Sequence, residues 1–267
     1  MGSDKIHHHH HHMRIHVLCD DSSQNGFESE HGFSVLVDSV LFDTGKSDVF
    51  LKNARKLGID LPKDVLISHG HYDHAGGLLY LSGKRVWLRK EALDQKYSGE
   101  RYAGADWNEV LYYNTGKFVI ERITEIGKNM FLLGPANLRG KVPTGDFFVE
   151  RNGERRKDLF EDEQTLVVRT KEGLVVITGC SHRGIDNILL DIAETFNERI
   201  KMVVGGFHLL KSSDDEIEKI VKAFNELGVE TVVPCHCTGE RAVDIFKREF
   251  LGKIMDCYAG LKLEVSD

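Results

Sequence analysis

The sequence has no long hydrophobic run and few cysteines. No stretch reaches the roughly 18 apolar residues that a membrane-spanning helix needs, so we expect no membrane span. Five cysteines, an odd number, favour reduced thiols and a cytoplasmic protein over a disulfide framework. Because Met13 leads directly into the strand-like run "RIHVLC", we expect no secretory signal.

Basic residues are also fewer than acidic ones. The chain carries 35 Lys and Arg against 42 Asp and Glu, a net charge of −7. An acidic surface disfavours non-specific binding to nucleic acid, although the net charge does not reveal a local basic patch. We therefore expect a small-molecule substrate, and neither nucleic acid nor a membrane as a partner. The sequence leaves the oligomeric state open.

Alternating strand and helix patterns predict the domain organisation. Residues 1–12, "MGSDKIHHHHHH", are an expression tag and carry no fold information. Residues 13–267 suit a single domain of layered α/β (or α+β) architecture. Between about 91 and 163 the pattern becomes irregular, and we predict a cap or insertion over the site there.

The secondary structure is predicted element by element. We expect Ser47 to cap an amphipathic helix that runs to about Leu57. The clearest other elements are a strand at 64–68, a hairpin formed by "TLVVRT" and "GLVVITG", a strand "KMVVGG", a strand "ETVVPCHC", and helices at 185–197, 213–227 and 239–250.

The densest group of titratable side chains is the stretch "SHGHYDHAGG" at 68–77. Residues two apart in an extended segment point the same way, so His69 and His71 can hold one cation. Asp73 and His74 can hold a second cation nearby. Imidazole and carboxylate ligands suit zinc, and also manganese or iron. The alternative, a hydrogen-bonded loop without metal, is disfavoured because so many imidazoles rarely serve packing.

The spacing His69-x-His71-x-Asp73-His74 after an apolar strand resembles the signature of the metallo-β-lactamase fold superfamily. The resemblance covers essentially all of residues 13–267. It implies an αβ/βα sandwich of two mixed β-sheets flanked by helices, with a binuclear metal site at one edge. A narrower resemblance, carried by "GCSHRGIDN", "GGFHL" and "PCHCTG", is to the branch labelled 7,8-dihydropterin-6-methyl-4-(β-D-ribofuranosyl)aminobenzene-5'-phosphate synthase.

The superfamily resemblance extends the site to other strand ends. His182 would join the first two loop histidines at one metal, unless it is a surface histidine. His236, in "PCHCTG", would join Asp73 and His74 at the other. Asp43, in "LFDTG", would hydrogen-bond the metal loop, or else be a plain turn residue.

One position departs from the superfamily pattern. Many members end the strand before His182 in an aspartate that bridges the two metals, whereas this chain has Cys180. Cys180 is therefore either a thiolate ligand or a small buried thiol. Cys235 and Cys237 flank His236 and would point away from it in a strand, so we interpret them as packing residues. A CxC zinc site is disfavoured because no second cysteine pair is present.

Two further histidines are candidates for a role at the site. His208, at the end of "VVGGFH", could act as a general acid or bind substrate. A ligand of a third site and a core residue are the alternatives for His208. His31, in Glu30-His31-Gly32, belongs to the narrower pattern and could line the site, with a capped turn as the alternative.

These features predict a metal-dependent hydrolase. Two divalent ions, zinc first and manganese or iron as alternatives, would activate a hydroxide that attacks a phosphoester or a pterin- or phosphate-containing small molecule. Lys46, Arg183 and Lys211 could bind an anion or be solvated charges. The alternatives are a redox or sensor protein of the same fold and a nuclease-type phosphodiesterase. Redox members resemble this pattern with a glutamate in place of His71.

Overall fold

A computed structural model describes residues 12–266 of the chain, so most of the tag lies outside the described residues. The strands, in chain order, are β1 (His12–Cys19), β2 (Ser34–Val37), β3 (Val40–Phe42), β4 (Asp64–Leu66), β5 (Arg85–Leu88), β6 (Gln95–Ser98), β7 (Arg101–Tyr102), β8 (Thr115–Phe118), β9 (Ile123–Gly127), β10 (Met130–Leu133), β11 (Phe147–Arg151), β12 (Glu154–Lys157), β13 (Thr165–Thr170), β14 (Gly173–Thr178), β15 (Ile200–Gly206), β16 (Thr231–Cys235), β17 (Lys253–Ile254) and β18 (Lys262–Ser266). The α-helices are α1 (Val49–Lys56), α2 (Tyr72–Ala75), α3 (Trp107–Tyr113), α4 (Ile185–Phe196), α5 (Asp214–Glu226) and α6 (Glu240–Glu249). Among residues 12–266, no helix is both long and apolar enough to cross a membrane.

Two seven-stranded sheets form the body of the molecule, in the orders β18-β1-β2-β3-β4-β5-β8 and β17-β16-β15-β14-β13-β10-β9. In the first sheet the pairs from β18 to β3 are antiparallel and those from β3 to β8 are parallel. The second sheet repeats this plan, antiparallel from β9 to β14 and parallel from β14 to β17. Both sheets are therefore mixed, as predicted.

Three apolar layers explain why the sheets stack. Val17 and Val35 of the first sheet and Ile177 of the second are buried in one core between the sheets. The outer face of the first sheet is covered by residues of α1 and α3, such as Phe50. The outer face of the second is covered by α4, α5 and α6, with Phe224 fully buried. Each large side chain buried in this way contributes about 1.5–3 kcal/mol. The predicted αβ/βα sandwich is confirmed.

Most elements after residue 164 match the sequence prediction to within about two residues, a margin typical of such boundaries. The predicted cap of the first helix is wrong. The N-cap residue of α1 is Asp48, and it makes no side-chain capping bond. Ser47 instead donates its hydroxyl to Glu30 Oε1. The Glu30 carboxylate, distant in sequence, therefore binds the hydroxyl that the prediction assigned to the helix cap.

The irregular region at 91–163 contains elements that the sequence did not reveal, including β6, β7, β12 and α3. Strands β8, β9 and β10 from this region extend the two large sheets. Strands β12, β11, β6 and β7 form a separate four-stranded sheet, called here the small sheet. Phe147 of the small sheet lies with its ring 5.0 Å from that of His182, so this sheet borders the predicted site.

Candidate metal centre

The predicted ligands follow strands that run parallel within their sheets. Side chains beyond the carboxyl ends of such strands meet at one edge, the usual position of a site in α/β folds. The predicted site residues at this edge, ligands and supporting groups together, are Asp43 after β3, the loop 68–77 after β4, His182 after β14, His208 after β15 and His236 after β16.

The first half-site consists of His69, His71 and His182. One nitrogen of each ring lies within 4.8 Å of the others. All three side chains are buried, yet Nε2 of His69, Nε2 of His71 and both ring nitrogens of His182 have no hydrogen-bond partner among residues 12–266. An unpartnered buried nitrogen is costly, so this arrangement fits a bound cation.

Burial sets the protonation of the first half-site. It lowers the pKa of His69 and His182 well below the usual range and that of His71 to about 4. The three rings are therefore neutral at physiological pH, which is the form that binds a metal.

Hydrogen bonds from neighbouring groups orient His69. The Ser68 hydroxyl donates to Asp43 Oδ2 at 2.7 Å, so its oxygen is left to accept from His69 Nδ1 at 2.9 Å. This chain fixes the tautomer of His69 and leaves Nε2 with a free lone pair. The Ser68 amide also donates to Asp43 Oδ1 at 2.8 Å.

The second half-site consists of Asp73, His74, Cys180 and His236, whose ligand atoms also lie within 4.8 Å of one another. His236 Nε2 is 2.8 Å from Asp73 Oδ2, and His74 Nε2 is 3.0 Å from Cys180 Sγ. His74 Nδ1 pairs with Asp43 Oδ2 at 2.6 Å. Asp43 therefore holds one ligand of each half-site, as a group behind the metal ligands would.

The electrostatics of the second half-site differ from those of the first because carboxylates are present. Burial alone would lower the pKa of His236, but hydrogen bonds to Asp21 and Asp73 outweigh it and hold that pKa well above its usual range. Burial would raise the pKa of Asp73, but the charges of His74 and His236 hold it well below its usual range. The group carries carboxylate charge suited to a divalent cation.

Cys180 and the two cysteines around His236 take different positions. Cys180 belongs to the second half-site, where burial raises the pKa of its thiol. Cys235 packs in the core between the sheets, as predicted. The prediction for Cys237 is wrong, because its thiol reaches the carbonyl oxygen of Cys180 at 3.7 Å. His236 has a φ of 47°, which breaks the extended geometry on which that prediction depended.

His31 lies at the mouth of the second half-site. Its Nδ1 is 2.9 Å from Asp21 Oδ2, and its Nε2 is 3.4 Å from Asp73 Oδ2. Asp21 Oδ1 also pairs with His236 Nδ1 at 2.6 Å, which orients the ring so that its Nε2 faces Asp73 and the other ligand atoms of this half-site. Asp20 accepts the His236 amide at 2.8 Å. Sequence reasoning missed both aspartates, although the pair "DD" directly after β1 was a signal.

His208 lies beside the first half-site but outside the ligand groups found within residues 12–266. Its ring centroid is 4.4 Å from that of His182 and 5.6 Å from that of Phe147. His182 and His208 both line a cavity of about 450 Å³. Its wall carries both signs of charge, with Lys141 Nζ 2.6 Å from Asp186 Oδ2, and Val142 supplies exposed apolar surface.

A buried acidic segment at 158–164, "DLFEDEQ", supports the first half-site and was not foreseen. Glu163 accepts the amides of His182 at 2.7 Å and of Arg183 at 3.0 Å, and burial raises its pKa to about 7. Asp162 accepts the Gly70 amide at 2.7 Å. The Arg183 side chain donates to the carbonyls of Ala136 and Leu159, so it acts in packing this turn. An acidic run just before a buried strand was the available signal.

Comparison with known proteins identifies the family. Residues 30–156 match a family model described as the metallo-beta-lactamase superfamily. An uncharacterised protein of Methanocaldococcus jannaschii is 34% identical over 246 residues, which cover 86% of this chain and 92% of the relative. The chain belongs to the metallo-beta-lactamase superfamily. This superfamily consists largely of enzymes, hydrolases among them, and generally binds divalent metals.

One further relative and one solved structure extend the comparison. The 7,8-dihydropterin-6-methyl-4-(beta-D-ribofuranosyl)-aminobenzene-5'-phosphate synthase of M. jannaschii is 28% identical over 280 residues, covering 93% of this chain and 95% of the relative. The metallo-beta-lactamase fold protein YhfI from Bacillus subtilis superposes with a TM-score of 0.62 at 14% identity, covering 96% of this chain and 100% of YhfI. Both resemblances noted in the sequence are confirmed.

Proposed function

We propose that this protein is a hydrolase with a binuclear metal centre that acts on a phosphoester or on a pterin- and phosphate-containing small molecule. One observation carries the proposal. Two groups of buried ligand atoms adjoin at one edge of the sandwich, and four imidazole nitrogens of the first group have no hydrogen-bond partner in the described part of the chain. A cation held by the three rings would give one nitrogen of each ring a partner, as buried polar groups normally have.

The residues present fit two divalent ions. One would be held by His69, His71 and His182, and the other by Asp73, His74, His236 and the Cys180 thiolate. Imidazole with carboxylate or thiolate suits zinc best, with manganese or iron as alternatives. When bound, such ions acidify water and stabilise negative charge that develops on a phosphoryl oxygen.

The chain itself supplies a place for the substrate. The cavity beside His182 and His208 has about 450 Å³, a volume suited to a small molecule. Lys219 can attract a phosphate, since the Lys141 ammonium is already paired with Asp186, while the exposed Val142 can pack against a ring system. The synthase relative is named for a product that joins a pterin to a ribose phosphate, which supports this pair of features.

His208 is the candidate proton donor to the leaving group. It borders both the cavity and His182 and stands outside the ligand groups of the described residues. We expect His208→Asn to keep the metal content and to lower kcat by about 10²- to 10⁴-fold. Asn tolerates the φ of 51° at this position. Loss of metal, measured by elemental analysis of the variant, would instead make His208 a ligand.

A substrate panel tests the proposed function. Tag-free protein would be assayed on phosphodiesters, phosphomonoesters, thioesters and lactams, before and after chelation. We expect turnover of a phosphoester that stops when the metal is removed and returns when zinc is added. Turnover of the thioester or lactam alone would overturn the substrate class. Phosphoester turnover that survives chelation would overturn the metal mechanism.

A further inference from the structure

A buried lysine connects the small sheet to the acidic segment 158–164. Only 1% of the Lys96 side chain is exposed, and its ammonium lies 2.9 Å from Asp158 Oδ2 and 3.2 Å from Asp162 Oδ1. A buried ammonium is unfavourable unless it is well paired, so this arrangement restricts all three side chains strongly. One cation faces two carboxylates here, which leaves an excess of negative charge near the first half-site.

Asp162 carries this restriction to the loop that holds two of the histidines. Its Oδ2 accepts the amide of Gly70, the residue between His69 and His71, at 2.7 Å. The backbone is tightly confined at this position, because a Cβ on Gly70 would lie 2.2 Å from the Ala92 carbonyl oxygen. The spacing between the two histidine rings therefore depends on a carboxylate that Lys96 holds.

Phe160 carries the restriction to the third histidine. Its ring stacks on the His182 imidazole, with centroids 3.9 Å apart and planes 6° from parallel. Lys96 Nζ lies 5.5 Å from the centroid of the same ring. The Phe160 amide donates to Asp158 Oδ1 at 2.7 Å, which fixes the ring from the backbone side. The Lys96 ion pairs thus fix the orientation of the His182 ring through Phe160.

The second half-site is supported by other groups. Asp21 and Asp20 hold His236, at 2.6 and 2.8 Å. Asp43 holds His74 at 2.6 Å. These aspartates lie in or after strands β1 and β3, which belong to the first large sheet and not to the small sheet. Asp43 is shared, because it also holds His69 through Ser68, whereas the contacts that start at Lys96 run through Asp162 and Phe160 to the first half-site.

We propose that Lys96 is a positioning residue for the first half-site alone, acting through Asp162 and Phe160. This inference rests on the proposed metal centre. Its consequence is selective: disturbing Lys96 should empty the tri-histidine site while the site of Asp73, His74 and His236 keeps its ion. A general loss of stability would not discriminate between the two ions in this way.

Metal counting in combined variants tests this selectivity. Lys96→Met should hold about one ion per chain where the wild type holds about two. Lys96→Met combined with His182→Ala should hold the same single ion as His182→Ala alone. Lys96→Met combined with Asp73→Ala should hold almost none. The matched control is Lys117→Met, which removes an ammonium 5.7 Å from the Trp87 ring and should leave both ions in place.

A second variant and a spectrum keep the test decisive. Phe160→Leu removes the ring that stacks on His182 but leaves the Lys96 ion pairs in place. If Lys96→Met does not fold, Phe160→Leu takes its place in the same comparisons. With cobalt as the probe, either variant should lose the visible bands that His182→Ala loses. Two bound ions with an unchanged cobalt spectrum would overturn the proposal, as would loss of the remaining ion from the His182→Ala combination. A wild type without metal would instead refute the proposed function.

Discussion

Asp73→Ala is expected to reduce the metal content to about one ion per chain and to abolish turnover. The Asp73 carboxylate faces three imidazoles, with Oδ2 at 2.8 Å from His236, 3.4 Å from His31 and 3.6 Å from His74. It is the only carboxylate within the second group of ligands found in residues 12–266. Without it, neutral or protonated imidazoles would have to hold a divalent ion without a charged oxygen ligand.

The measurement is elemental analysis of dialysed protein together with kcat on the best substrate. Asp60→Ala is the control, because Asp60 is exposed and lies outside the candidate ligand groups of the described residues. It should retain both ions and full turnover. An Asp73→Ala protein with two ions and normal kcat would refute the assignment of the second half-site.

His182→Ala is expected to remove the other ion and to abolish turnover as well. Both ring nitrogens of His182 lack hydrogen-bond partners among the described residues, so removing the ring breaks no hydrogen bond there but takes one of three ligands from the first half-site. Loss of the stacked ring also leaves a void beside Phe160. We expect the free energy of unfolding to fall by about 0.5–3 kcal/mol, as is usual for one substitution.

His16→Ala separates the two effects of this change. His16 lies in β1 and, like His182, has a buried ring nitrogen without a partner. The His16→Ala variant should have a lower free energy of unfolding but should retain both ions and an unchanged kcat. Full metal content in His182→Ala would show that His69 and His71 need no third histidine, and the first half-site would then have to be redrawn.

The parts of the site that the sequence revealed are those fixed by local geometry and by strand ends. His69 and His71 are two residues apart in one loop, and His182 and His236 follow buried strands whose apolar patterns are unmistakable. Parallel strands bring such ends together whatever the loops contain. The position of Cys237 could not be read in this way, because it depends on a single positive φ at His236.

The supporting groups were invisible for a different reason. Lys96 pairs with Asp158 across 62 positions of the sequence, and Gly70 pairs with Asp162 across 92. The periodicity of a sequence does not indicate contacts between an irregular region and a loop that is distant in sequence. A lysine such as Lys96 normally predicts a solvated surface, and only the structure shows it buried.

The metal content of tag-free protein, purified without added metal, tests the central claim most directly. The tag must be cleaved first because its six histidines can themselves hold metal. Two half-sites built as described should retain about two divalent ions per chain after dialysis, with zinc as the main element. A chain that holds almost no metal, and takes up none when zinc is supplied, would contradict the account.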